Sequence, residues 1–261
     1  MLRKPLAPRI DGTHPMAHGL VAAYPFFERG AGVVRDVRSR LNGAAVNAAN
    51  AWQVSRYGWG LDLDGTNDRI DLPKVPLLSM DGQAFCASIL VDNDTTTALA
   101  LLSRGGAAVT NSSGWVFFSS AIVAKTGGSP GNAGTWTRAS AVTTGIHMYV
   151  QNFRPIVGSI GAASWAEAYL DGKPDALTLS AADGGYGSDS TQTPIIGARS
   201  HAQANYASFY NGRVIDVRIW RRWLSAREAA DLWADPFAMY RQRRVLIRVP
   251  TAGHTGTGAL T

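Results

Sequence analysis

Residues 210–236, YNGRVIDVRIWRRWLSAREAADLWADP, restrict the fold more than any other stretch of the chain. Val214, Asp216, Arg218 and Trp220 alternate with Ile215, Val217 and Ile219, a two-residue period that predicts a strand with one buried face. After Arg221-Arg222-Trp223-Leu224 the pattern changes. Ser225 reads as a helix N-cap and Glu228, three residues on, as its reciprocal partner in a capping box. Pro236 disfavours helical geometry at Asp235 and ends the helix there. A helix this short, about 15 Å at ~1.5 Å per residue, cannot organise a domain and is expected to plug one end of a larger β body. Elsewhere short alternating runs are separated by Gly, Asn, Asp and Pro, which predicts a sandwich. Strands are expected over 20–27, 33–37, 61–64, 85–91, 98–103, 114–120, 136–142, 147–153, 166–170, 194–198 and 214–220. Asp171-Gly172 is a hairpin turn, and 127–134 and 184–193 are long loops.

Four places carry a family resemblance. The strand Gly212–Trp220 with Leu224-Ser225 and Glu228 resembles the closing signature of laminin-G-like (concanavalin A-like lectin/glucanase) jelly rolls. His18–Phe26 resembles the opening strand of that family, Leu61–Ile70 its strand–turn–strand, and Ala168–Lys173 its mid-domain hairpin. The resemblance implies an all-β, two-sheet antiparallel β-sandwich with one short C-terminal helix. On this reading residues 1–15 form an extended arm, 16–236 the jelly roll, and 237–261 a further strand, over 245–249, and a tail. Such sandwiches serve lectins, glycosidases, adhesion modules and virus-particle parts alike, so function has to come from sites.

Hydrophobic residues make up 46% of the chain, enough for a single large core. The lone Cys86 sits in the apolar run Phe85–Val91 and reads as a buried thiol. The N-terminal MLRKPLAPRIDG lacks an apolar segment after its basic residues, and no run approaches the ~18 apolar residues of a membrane span. These features predict a protein made in a host cytoplasm without its own export signal and carried in a virion. Between Arg213 and Arg248 stand nine arginines against four acids, in a chain of net charge +6. Without a nucleic-acid module this charge reads as the rim of a protein contact rather than a nucleic-acid surface.

Catalysis of glycoside hydrolysis needs two carboxyl groups roughly 5–10 Å apart. The three glutamates, Glu28, Glu167 and Glu228, are scattered and none lies in the superfamily's Glu-x-Asp-x-(x)-Glu strand motif, so no enzyme is expected. The letters G-x-S-x-G at 127–131 fall among glycines and a proline, without the strand and helix of a nucleophile elbow. Asp62, Asp64, Asn67, Asp68 and Asp71 crowd one turn, and hard oxygens suit calcium. The family resemblance implies an ion between Asp64 and Asp216; the competing reading gives Asp64 to a turn and Asp216 to a nearby arginine. For glycan stacking the candidates are Trp115, Trp136, Trp165 and Tyr186, each also a candidate for packing. For docking they are Arg3, Lys4, Arg241, Arg243 and Arg244. The expected function is a non-catalytic structural or adhesion subunit of a bacteriophage virion, on the head or in the tail. Its partners would be other virion proteins, copies of itself or a cell-surface glycan. A free carbohydrate-binding lectin is the first alternative and a glycoside hydrolase the second.

Overall fold

The structure is a computed structural model that describes residues 4–5, 8–30, 32–48, 51–79, 83–105, 114–125, 133–153, 165–179, 192–200 and 206–241. Two antiparallel sheets face each other. The first has eight strands, in the order Lys173–Asp175, Ala166–Leu170, Gly145–Phe153, Phe85–Asn93, Asn211–Trp220, Gly58–Asp64 and Trp52–Ser55, with Leu20–Tyr24 also paired to Asn211–Trp220. The second has nine: Leu177–Leu179, Ala133–Arg138, Ala121–Lys125, Gly114–Phe118, Ala100–Arg104, Pro194–Ile196, Arg69–Asp71, Gly43–Val46 and Val33–Val34. Among the described residues no helix is long and apolar enough to cross a membrane.

The Asn211–Trp220 strand is the spine of the first sheet. Along one edge it pairs with Phe85–Asn93 from Gly212↔Asn93 to Trp220↔Cys86. Its other edge is shared between Gly58–Asp64, which takes residues 211–214, and Leu20–Tyr24, which takes 217–220. The simple alternation expected here does not hold. The register slips between Val214 and Asp216, leaving Ile215 as the extra residue of a β-bulge. Val214, Val217 and Ile219 therefore point into the space between the sheets, and Ile215 and Trp220 pack on the opposite side. Both faces of this strand are buried.

The inter-sheet core is strongly aromatic. Phe85, Trp115 and Phe117 stack within 4.9–5.9 Å of one another, and Trp136 meets Phe153 edge-on at 5.4 Å. A second apolar layer lies on the outer face of the eight-stranded sheet. There Cys86, Leu90, Met148, Val150, Tyr169 and Trp220 are covered by Met16, by Ala229 and Leu232 of helix α1 (Ala226–Ala234), and by Phe237, Met239 and Tyr240. Helix α1 thus roofs a sheet face rather than plugging an end. The capping box is as expected: Glu228 N donates to Ser225 Oγ, and Ser225 N donates to Glu228 Oε2 at 2.8 Å. The Asp171-Gly172 turn has φ of +51° and +74°, and a Cβ on Gly172 would sit 2.9 Å from Trp233 Cβ on α1, so only glycine serves both turn and helix.

The terminal segments also depart from expectation. Arg9–Ile10 pairs with Tyr240–Arg241, and Lys4 N donates to Tyr57 O at 3.0 Å. The boundary at 15/16 and that at 236/237 therefore cut through one packed layer. The strand expected over 245–249 lies outside the described residues.

Candidate functional site

The bulge at Ile215 sends two charged residues, Asp216 and Arg218, to the outer face beneath the second layer. Both are buried. Arg218 Nε meets Asp216 Oδ1 at 2.6 Å, and Tyr240 donates its hydroxyl to Asp216 Oδ2 at 2.7 Å. Arg218 Nη2 donates to Pro236 O, and the guanidinium lies 5.2 Å from the Tyr240 ring centroid. Burial pushes the Asp216 carboxyl upward, while Arg218, the Tyr240 hydroxyl and Lys4 pull it back. Lys4 completes the group, donating Nζ to Phe26 O (3.3 Å), Trp59 O (2.5 Å) and Ile215 O (2.7 Å). Burial lowers the Lys4 ammonium to about 7, against the opposing pull of Asp216 and Glu28.

Above Arg218, between helix α1 and the 3-10 turn Pro15–Ala17, opens a cleft of about 380 Å³. Its walls are apolar, from Met16, Leu232 and Met239. Its polar lining comes from Arg218, His14, Glu228, Asp231 and Asp235. Local chemistry places each group. His14 Nδ1 accepts from Met16 N at 3.2 Å, which leaves Nε2–H in the neutral ring. Glu228 is held by Arg222 (2.6 and 3.0 Å) and Ser225; these bonds outweigh burial and depress its carboxyl. Asp235 caps the end of α1 and accepts from Phe237 N through Oδ1 at 3.1 Å. Arg218 has spent Nε and Nη2, and its buried Nη1 has no hydrogen-bond partner. The cleft offers an apolar wall and several carboxylates, while Arg218 beneath it is sealed from solvent.

The residues singled out from sequence fall elsewhere. Trp115, Trp136 and Trp165 are 1%, 0% and 4% exposed and belong to the inter-sheet core. None presents a ring face to solvent, so none can stack on a sugar in this fold. Tyr186 lies outside the described residues, as do Arg3, Arg243 and Arg244. Lys4 points inward as a staple rather than outward as a docking group, and Arg241 contributes backbone pairing to Ile10's strand.

Nor do Asp64 and Asp216 form a calcium pair. Asp64 lies opposite Asn211, so Asp216 is five residues further along the strand, roughly 16 Å away at ~3.3 Å per residue. Asp64 Oδ1 accepts from the amides of Thr66 and Asn67 in its own turn, and Asp216 is committed to Arg218 and Tyr240. The competing assignment, turn and ion pair, describes both. The cleft itself was not visible from sequence. Met16, Leu232 and Met239 belong to three separate segments, and nothing in their spacing marks a shared surface.

No family model matches the chain, and no curated protein does. Solved structures do. Domain 4 of an extracellular GH43 arabinanase from Geobacillus stearothermophilus, solved in complex with arabinotriose, is 15% identical with a TM-score of 0.51. The match covers 82% of this chain and 97% of that domain. Trypanosoma rangeli sialidase, in complex with the inhibitor DANA, is also 15% identical at TM-score 0.52, with 82% of this chain and 32% of the sialidase covered. The botulinum neurotoxin serotype D/C binding domain is 8% identical at TM-score 0.55, with 83% and 52% covered. The chain spans a third of the sialidase and half of the toxin domain. At these identities the likeness is one of fold alone: a two-sheet, all-β sandwich.

Proposed function

We propose that the chain is a non-catalytic, lectin-like adhesion subunit that holds a saccharide in the cleft between helix α1 and residues 14–16, and that it serves as part of a bacteriophage particle. The cleft carries the first half of this reading. It joins an apolar wall to unspent hydrogen-bonding groups, which is how proteins hold a ring that is apolar on its faces and polar at its edge. The fold supports it, since the sandwich spans nearly all of a domain solved with arabinotriose. The non-catalytic part draws support from the glutamates. Glu28 accepts from Arg35 N, Glu167 from the Tyr169 hydroxyl, and Glu228 serves the capping box, each on a different element. The virion setting is carried over from the sequence reading, where the flanking arms and the export-signal expectation suggested it, and the fold supplies only the lectin-like half.

A glycan array tests the binding. One saccharide class should be retained by the wild-type chain and lost by Ala238→Trp, which fills the cleft mouth from an exposed position. Retention of the same saccharide by the variant would place binding elsewhere. Mass spectrometry of purified particles from the source tests the setting, and absence of the chain from them would end it.

A further inference from the structure

We infer that the Trp52–Ser55 edge of the eight-stranded sheet is an interaction surface for the chain's own residues 245–249, which add to it as the next strand, antiparallel. The state of the edge carries this. On the opposite side of the sandwich the terminal strands Lys173–Asp175 and Leu177–Leu179 are joined through Ala176, and Pro174 removes a ladder donor there. Trp52–Ser55 has four residues and neither proline nor lysine, and among the described residues no strand pairs with its outer side. Its Val54 is 63% exposed. A sheet edge without such protection is a template for another strand. The ladder shows which groups it offers. Ala51 O accepts from Asp62 N at 2.8 Å, so by alternation Gln53 and Ser55 exchange bonds with Gly60 and Gly58, and Val54 turns its N–H and C=O outward. That carbonyl receives a long bond from Arg213 Nη1 at 3.4 Å.

Reach, direction and charge select the occupant. Tyr57, in the turn that follows Ser55, packs its ring on Phe237 at 5.9 Å, and the Phe237 ring lies 6.2 Å from that of Tyr240. The antiparallel ribbon of Arg9–Ile10 with Tyr240–Arg241 turns the chain back beside residues 8 to 4, and Lys4 N donates to Tyr57 O at 3.0 Å. Beyond Arg241 the chain is therefore aimed at the Ser55 end of the edge, and the four steps to Val245 span ~13 Å. Entry at that end gives the antiparallel direction. The sequence VLIRV supplies the alternation. With Ile247 opposite Val54, Val249 falls opposite Trp52, and the two extend the inward apolar row. Arg248 falls opposite Gln53 on the outward face, where Gln53 Nε2 donates to Asp62 Oδ2 at 2.6 Å. On that face Asp62 and Asp92 flank the single Arg213, a net negative row that a further arginine complements. So short a tether holds the segment at an effective concentration on the order of millimolar, ahead of any second copy.

Amide hydrogen exchange, read residue by residue by NMR, tests it. The Val54 amide should exchange at least about tenfold more slowly in the full chain than in one ending at Arg241, equivalent to ~1.4 kcal/mol. The Gln53 and Ser55 amides, bonded within the hairpin, should exchange alike in both and report that it stays folded. Ile247→Pro keeps the chain at full length but removes the donor opposite Val54, and it should reproduce the truncation. If the truncated chain loses protection at Gln53 and Ser55 as well, the proline variant decides. Val54→Cys combined with Ile247→Cys should form a disulfide within one chain, since Cys86 is buried. Equal Val54 exchange in the full-length, truncated and proline chains would overturn the proposal. A disulfide between two chains, or Val54 protection that rises with protein concentration, would give the edge to a second copy and overturn the assignment to the chain's own segment.

Discussion

Lys4 shows how much a single side chain can commit. Its ammonium is surrounded by three backbone carbonyls and sits beside Asp216, but burial brings its titration down to about 7 from an ordinary 10.5. Between those values the unfolded chain holds a proton that the folded chain has released. Stability should therefore rise with pH from about 7 to about 9, by at most about 1.4 kcal/mol per unit. Above that range the buried tyrosines oppose the trend, because Tyr240 and Tyr210 keep their protons in the fold. Urea denaturation at pH 7 and pH 9 measures the effect, and Lys4→Met should flatten it. A second residue-scale prediction concerns the ion pair. Arg218→Met strands a buried carboxylate and should cost about 3–5 kcal/mol. Adding Asp216→Asn should recover part of that loss, and a double-mutant cycle by denaturation measures the coupling. A cycle with no coupling would mean the two groups act independently.

Among the elements, the sequence made the helix and hairpin legible because their signals are local. Ser225 and Glu228 form their bonds within one turn, and Asp171-Gly172 makes its reversal with two successive positive φ values. The strands expected at 85–91, 147–153, 166–170 and 214–220 were legible from their period and composition, and pairing extends three of them, to 85–93, 145–153 and 211–220. The bulge at Ile215 was not, since an extra residue leaves no mark in a run of alternating apolar side chains; it is set by pairing with Leu90 and Val91. The same limit left the tryptophans open to two readings, stacking and packing. A large aromatic in a strand looks alike whether it faces core or ligand, and here Trp136 packs on Phe153. Trp136→Ala should cost about 3–5 kcal/mol of stability, read by denaturation midpoint, without touching sugar binding. Gly172→Ala should lower stability by roughly 1–3 kcal/mol, since it strains the turn and lifts Trp233, and a fall in Tm checks it.

For the whole molecule, the outer layer alters the expected division into arm, body and tail. Ile10, Met16, helix α1 and Phe237, Met239 and Tyr240 cover a sheet face that would otherwise expose Leu90, Met148, Val150 and Trp220. Removing residues 1–10 should therefore destabilise the body, not merely free it from partners. A truncated chain with an unchanged melting temperature would restore the independent arm. The Arg9–Ile10 and Tyr240–Arg241 pairing also has a mechanical side. Strands that run in opposite directions side by side bring incoming and outgoing chain to one spot. Tension drawn at Arg241 would open the short ribbon one rung at a time, whereas tension from the N-terminal side meets Lys4 first, held by the carbonyls of Phe26, Trp59 and Ile215.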